Sequence, residues 1–470
     1  MIPRLGAIRS RFVMASILLL ALLCVAAGMV PSEARSRNSV GASNARAALA
    51  NFTGEQAQQY TGPGSCSSTS CHGSIAPRTD SRVRQNEYST WIVRDKHSKA
   101  YAALTGMVGE RMANILNLGK AETAPKCLAC HALDVPAAQR AHTFDLSDGV
   151  SCENCHGPAS AWLGRHTERG WTHEQSVALG MYDTRDLVKR SEMCLSCHLG
   201  NAQKSVDHEM IAAGHPDLYF ELDAFSATMP RHWKEPGEPG EAEGSDPWFD
   251  LREWSTGQAV QLQESLTQLA SRAQGKVWPE YSELECYACH HSLGPADQSW
   301  RQARGYSNRR PGNPPWNASR YIVFRENARQ VDEPGTQELD KQLAHLANLM
   351  SDSSAERDTI ITDATKAAQL AHDLALKLNH LIYDPAITMR LLHQITSDAD
   401  SISNQDEHAA AQAAMAIQSL FVAYDRNEKM QNAQEVRAAI NGLFDQLQGP
   451  SNYDARRFST RMHQVNALLH

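Results

Sequence analysis

Apolar residues are spaced in three ways along the 470-residue chain, and each spacing predicts a different structure. From Val13 to Val30 the run is apolar and uncharged, about 18 residues, the lower limit of a membrane span. Arg4, Arg9 and Arg11 precede it and Ser32-Glu33-Ala34 offers a small-x-small cleavage position, so residues 1–34 read as an export signal. A cleaved signal and a retained anchor both fit this run, whereas Leu23 before Cys24 argues against a lipoprotein site. Beyond about residue 335 the spacing turns to three and four. Leu339, Leu343, Leu346 and Leu349 keep it, as do Ile360, Ala364, Ala367, Ala371, Leu374, Leu378 and Leu381. Val436, Ile440, Leu443 and Leu447 repeat it before Gly449-Pro450, a helix stop. This predicts five or six helices packed as a bundle. Between them, from about Thr61 to Gln302, the periodicity is interrupted. Short helical pieces are expected at Glu87–Leu104 and Val206–Ala213, joined by loops, with few long strands.

That interrupted region carries five cysteine–histidine repeats. They are Cys66-Ser-Ser-Thr-Ser-Cys71-His72, Cys127-Leu-Ala-Cys130-His131, Cys152-Glu-Asn-Cys155-His156, Cys194-Leu-Ser-Cys197-His198 and Cys286-Tyr-Ala-Cys289-His290. Two thiols about a turn apart each add to one vinyl group of a haem, and the histidine that follows sits under the iron as proximal ligand. The ten cysteines beyond Cys24 all belong to these units, so none is left for a disulfide or a catalytic thiol. A zinc ribbon also uses Cys-x-x-Cys pairs, but it takes four ligands from two pairs and has no use for a histidine after each second cysteine. The first repeat has a longer spacer, which must bulge to keep both sulfurs near one ring. Five covalent c-type haems are therefore expected, on about 240 residues, so the haems themselves form much of the core.

Each iron has a second axial position. Histidine there gives a low-spin electron-transfer haem, methionine raises the potential, and an open site admits substrate. The region holds eight histidines outside the motifs: His97, His142, His166, His173, His208, His215, His232 and His291. The candidate distal ligands are His97, His166, His208, His215 and His232. His208 and His215, seven apart, could share a helical face ended by Pro216. Met210 and Met229 read as core. The histidines beyond residue 335, His408 among them, read as surface or capping residues.

Several strings in the first part resemble a known family. The order Cys66…His72, Trp91…His97-Ser-Lys-Ala, Cys127…His131, Gly149-Val-Ser-Cys-Glu-Asn-Cys-His-Gly-Pro…His166 and Cys194…His198-Leu resembles the tetrahaem cytochromes c of nitrifying bacteria, which take electrons from hydroxylamine oxidoreductase. The resemblance covers about residues 61–200. It implies that His97 serves the third haem and His166 the first. It also implies that the haem on Cys127, Cys130 and His131 lacks a second protein ligand. This predicts one open iron there, although the surplus of histidines argues the other way and the neighbouring His142 could close it. The longer first motif, the fifth motif and the helical tail have no counterpart in that family, and the whole chain looks more like the larger multihaem cytochromes c.

The expected organisation is a signal over 1–34, a polar tether over 35–60, a pentahaem domain over 61–305, a linker over 306–334 and a helical bundle over 335–470. The fold class is all-α, mainly irregular around the haems, with a C-terminal helical bundle. Function is expected to be electron transfer by a periplasmic multihaem cytochrome. The alternative is an oxidoreductase acting on a small nitrogen oxide or hydroxylamine at one open haem. The chain has 45 basic and 53 acidic residues; without residues 1–34 the balance is 42 to 52, net −10. That disfavours nucleic acid and favours redox partners with a basic patch. The Pro/Gly-rich acidic stretch Glu235–Asp246 is either a solvated insertion or a docking loop for such a partner. Membrane association would follow from an uncleaved N-terminus.

Overall fold

A computed structural model describes residues 58–81, 83–234, 246–290, 313–447 and 453–470, apart from the side chain of Tyr287. The signal, nearly all of the tether, His291 and all but the last residue of the acidic stretch lie outside the described residues. The described chain is helical; its strand pairing is confined to isolated bridges at Tyr60↔Arg140, Gly200↔Ser205 and Leu284↔Trp316. None of its helices is long and apolar enough to cross a membrane.

Through the motif region the helices are short: α1 (Glu87–Arg94), α2 (Ala100–Leu104), α3 (Met107–Ile115), α4 (Pro125–His131), α5 (Cys152–His156), α6 (His173–Ala178), α7 (Leu187–His198), α8 (His208–Ala212) and α9 (Leu222–Thr228). The helix expected over Glu87–Leu104 is interrupted at Asp95, whose extended backbone caps α1 and whose carboxylate accepts from His97 N. The apolar cluster proper to this region is small: Leu104, Ala113, Ala121, Leu128 and Ala132.

Then comes α10 (Phe249–Gln274), 26 residues long and buried along most of its length. It was not apparent in the sequence, because glutamines interrupt its apolar faces. Those glutamines are buried, and each donates through its amide N–H, although the Oε1 atoms of Gln258 and Gln261 have no hydrogen-bond partner. Gln258 donates to Gln412 (3.1 Å), Gln261 to Phe220 O (2.9 Å) and Gln268 to Leu199 O (3.4 Å). A buried amide with a partner loses little on leaving water, so a polar-looking helix sits in the core. Gly257 lets α9 approach: a Cβ there would meet Leu222 Cβ at 2.6 Å.

Beyond α10 lie α11 (Ser319–Ile322), α12 (Phe324–Ala328), α13 (Glu333–Met350), α14 (Arg357–Leu378), α15 (Pro385–Ser397), α16 (Ala399–Gln405), α17 (Glu407–Glu428), α18 (Ala433–Phe444) and α19 (Ala455–Leu468). Among the described residues seven helices thus follow Asp332, against five or six expected. One core cluster joins Leu195, Leu199 and Leu222 to Leu262, Leu266, Phe324, Leu339 and Leu374. A second joins Leu251 and Trp254 on α10 to Leu391, Leu420, Ile440 and Phe458. The core therefore runs across the position where a linker was expected. Within that stretch Tyr321, Ile322 and Phe324 are buried. His408 also departs from its surface reading. It pairs with Asp217 (3.1 Å), and its Nδ1 faces the Asn317 amide (3.0 Å), tying α17 to the loop that follows His215.

Candidate haem sites

Local signals shape each motif. Pro125 begins α4, Asn154 Oδ1 accepts from Ser151 N (2.7 Å) at the start of α5, and Asp186 caps α7 through Val188 N and Lys189 N. All three helices end on their motif histidine: His131, His156 and His198. On a helix, residues i and i+3 share a face, so Cys127/Cys130, Cys152/Cys155 and Cys194/Cys197 each present two thiols side by side. The fifth motif forms a 3₁₀ turn over Cys286–Ala288, with His290 N bonded to Cys286 O (2.8 Å). In the first motif the longer spacer folds out. Cys71 N and Gly73 N both reach Ser68 O (2.9 Å each), and His72 N returns to Cys66 O (3.3 Å). Any side chain at Gly73 would strike Ser67 O.

Four of the five motif histidines stand opposite other histidines. Ring centroids are 6.1 Å apart for His72 and His166, 6.4 Å for His131 and His215, 6.0 Å for His198 and His97, and 6.1 Å for His290 and His208. Metal–imidazole bonds of about 2.0 Å, with each ring centre about 1.1 Å further out, would place two rings that share one metal about 6.2 Å apart. The four separations match that span. His232, edge-on to Trp233 at 5.1 Å, lies close enough to His156 for its charge to bear on that ring.

Five of these rings have a hydrogen-bond partner on Nδ1, whereas Nδ1 of His232 is buried without one. Nδ1 of His72 faces Glu87 Oε2 (3.0 Å) and Nδ1 of His97 faces Asp95 Oδ1 (2.9 Å). Backbone carbonyls serve three more: Ala100 O for His131 (3.0 Å), Trp162 O for His166 (3.2 Å) and Pro216 O for His215 (2.7 Å). A ring that donates through Nδ1 keeps its Nε2 lone pair for a metal. Burial, with the charge of His232, holds His156 down to about 4; burial, with the charge of His97, does the same for His198. Both are neutral at pH 7, the form that ligates. The Glu87 hydrogen bond raises His72 and the Asp95 hydrogen bond raises His97, each against burial.

The ten described cysteines are free thiols. Burial pushes Cys155 and Cys194 up to about 12, which suits anchoring groups and not nucleophiles. Cys66 and Cys152 are within hydrogen-bonding reach, as are Cys130 and Cys197, while Cys155 lies near Cys194 and Cys197. Among the described residues no three His, Cys, Asp or Glu groups converge as a side-chain metal centre, which a zinc ribbon would require.

Three expectations change. His97 faces His198 of the fourth motif and not the third, because the break at Asp95 turns it toward α7. His142 is exposed; the ring opposite His131 is His215. His208 and His215 do not share a helical face. Helix α8 ends at Ala212, and Gly214, at φ +112, turns the chain so that the two rings meet different motifs. His173 is bonded to Asp183 (2.8 Å), and Met210 is buried.

Sequence reasoning did not find Glu87, Asp95 or Glu153. Glu153, inside the third motif and 2 % exposed, accepts from Thr61 N (2.9 Å), Gly62 N (2.7 Å) and Ala159 N (2.7 Å). It fixes the segment that leads into the first motif onto the third. The available signal was an acidic residue between two thiols, which has no role in attaching haem.

Residues 65–157, spanning the first three motifs, match the family model described as cytochrome c554 and c-prime. No curated protein and no solved structure matches the chain. The family match supports a multihaem c-type cytochrome acting in electron transfer.

Proposed function

We propose that the chain is an exported five-haem c-type cytochrome that carries electrons between protein partners in the periplasm. The observation that carries this reading is the opposition of histidine rings at 6.0–6.4 Å, with His131 among them. When bound, each haem supplies an iron that changes valence by one electron. The ten motif cysteines would anchor the groups. Nε2 of His72 and His166, His131 and His215, His156 and His232, His198 and His97, and His290 and His208 would hold the irons. Rings on both faces leave no place for a substrate, so these residues orient and insulate and transfer no protons. The enzymatic alternative needs an open iron over His131, and His215 argues against it.

The thiol proximities support a linear succession of sites, numbered by motif, in the order 1, 3, 4, 2. Site 5 follows because His215 and His208 leave the same short segment for sites 2 and 5. The acidic balance of the chain suits a partner with a basic patch. Retention of Val13–Val30 would add a membrane anchor.

A reductive titration followed by nitric oxide tests this reading. The exported protein should take up five electrons per chain, one for each motif, and the reduced form should leave nitric oxide unbound. Four electrons would show the long first motif unused. Prompt nitrosyl formation would overturn the carrier reading.

A further inference from the structure

Five of the histidine rings have a defined acceptor on Nδ1, and these acceptors are of two kinds. His131, His166 and His215 face neutral backbone carbonyls, whereas His72 and His97 face carboxylates. Both carboxylates come from one short helix. Glu87 is the first residue of α1, and Asp95 caps its other end eight residues on, about 12 Å away at the rise of an α-helix. Glu87 Oε1 also accepts from Gln85 N (3.1 Å), which holds Oε2 toward His72. Asp95 is 3 % exposed; its Oδ1 accepts from both the backbone N and the ring of His97, and its Oδ2 is buried without a hydrogen-bond partner. A carboxylate kept out of water and aimed at an imidazole N–H is more than an orienting device, since a carbonyl orients equally well at site 2.

Resting on the five-haem reading above, we propose that α1 sets redox potentials: Glu87 and Asp95 are positioning residues that hold sites 1 and 4 below site 2. An anion at hydrogen-bonding distance of Nδ1–H draws on that proton and makes Nε2 a stronger donor. It also stabilises the extra positive charge of the ferric state. In these partly buried pairs the charge acts more strongly than it would in water, whereas a neutral carbonyl gives only the first, smaller part. At site 2 both rings are on carbonyls, so that site is the easiest of the three to reduce. In the succession 1, 3, 4, 2, 5, α1 therefore biases electrons away from sites 1 and 4 and toward site 2.

Glu87→Gln and Asp95→Asn separate charge from orientation, because each amide keeps an acceptor oxygen of the same length. Both variants and the wild type are reduced stepwise at controlled potential and followed by absorbance and EPR. The expected result is one component shifted upward in each variant, a different one in each, both in the double variant, and the rest unmoved. Titration curves that superimpose on the wild type, in protein that remains low-spin with five haems, would overturn the proposal and leave the carrier reading standing. High-spin signal or nitrosyl formation in the wild type would instead defeat the carrier reading. If one variant fails to acquire five haems, the other decides. In the wild type itself, the two components that shift should reduce at lower potential than the component that His215→Ala turns high-spin, and the reverse order would also overturn the proposal.

Discussion

Replacing His215 by alanine is expected to turn one of five low-spin haems into a high-spin, ligand-binding one. The ring of His215 stands 6.4 Å from His131 at 90°, and its Nδ1 is held by Pro216 O at 2.7 Å, so it is fixed before any metal binds. Gly214 and Pro216 shape that bend, and neither depends on the side chain at 215. His142, the other histidine that could have served, is exposed and does not face His131. Truncation therefore leaves an open face with no substitute ligand. In the wild type a small ligand must wait for a ring to leave; if the open form is populated about 1 % of the time, apparent affinity falls about 100-fold. Nitric oxide or cyanide should accordingly bind His215→Ala about 100-fold more tightly than the wild type, read from the Soret shift. The same low-spin spectrum and the same indifference to nitric oxide in the variant would remove His215 from the ligand set.

The second large effect is expected from Glu153→Ala. The carboxylate accepts three backbone N–H groups, from Thr61, Gly62 and Ala159, at 2.7–2.9 Å in a site that is 2 % exposed. Alanine leaves those three donors buried and unpaired at about 1–3 kcal/mol each, or about 3–9 kcal/mol together. That is a large part of the roughly 5–15 kcal/mol by which a domain is stable. The damage is local as well as global, since Thr61 and Gly62 lead into the turn Pro63–Cys66 that opens the first motif. Thermal unfolding should show a midpoint lowered by roughly 10 °C. Glu153→Gln, which keeps two acceptor lone pairs but gives up the charge, should lie between. A variant that melts with the wild type would mean that solvent or another group satisfies these donors.

The chemistry was more legible in the sequence than its geometry. Cysteine–histidine spacing is a local signal, and the helices that end on His131, His156 and His198 follow from caps at Pro125, Ser151–Asn154 and Asp186. The three-four spacing from Ile360 to Leu378 lies on the buried face of α14 for the same local reason. What could not be read is set by tertiary structure. Which histidine faces which motif depends on a break at Asp95 and a bend at Gly214, and periodicity does not encode either. Helix α10 was hidden because Gln258, Gln261 and Gln268 look exposed until Gln412, Phe220 O and Leu199 O are placed beside them. The continuity of the core across residues 313–334 depends on that same helix, which packs against both α7 and α14.

EPR of the fully oxidised protein at low temperature tests the account most directly, because an axial imidazole pair makes ferric haem low-spin and a single imidazole leaves it high-spin. Five low-spin components are expected, with no high-spin signal near g 6. A high-spin component integrating to one iron per chain would contradict it and return the open site to the haem above His131.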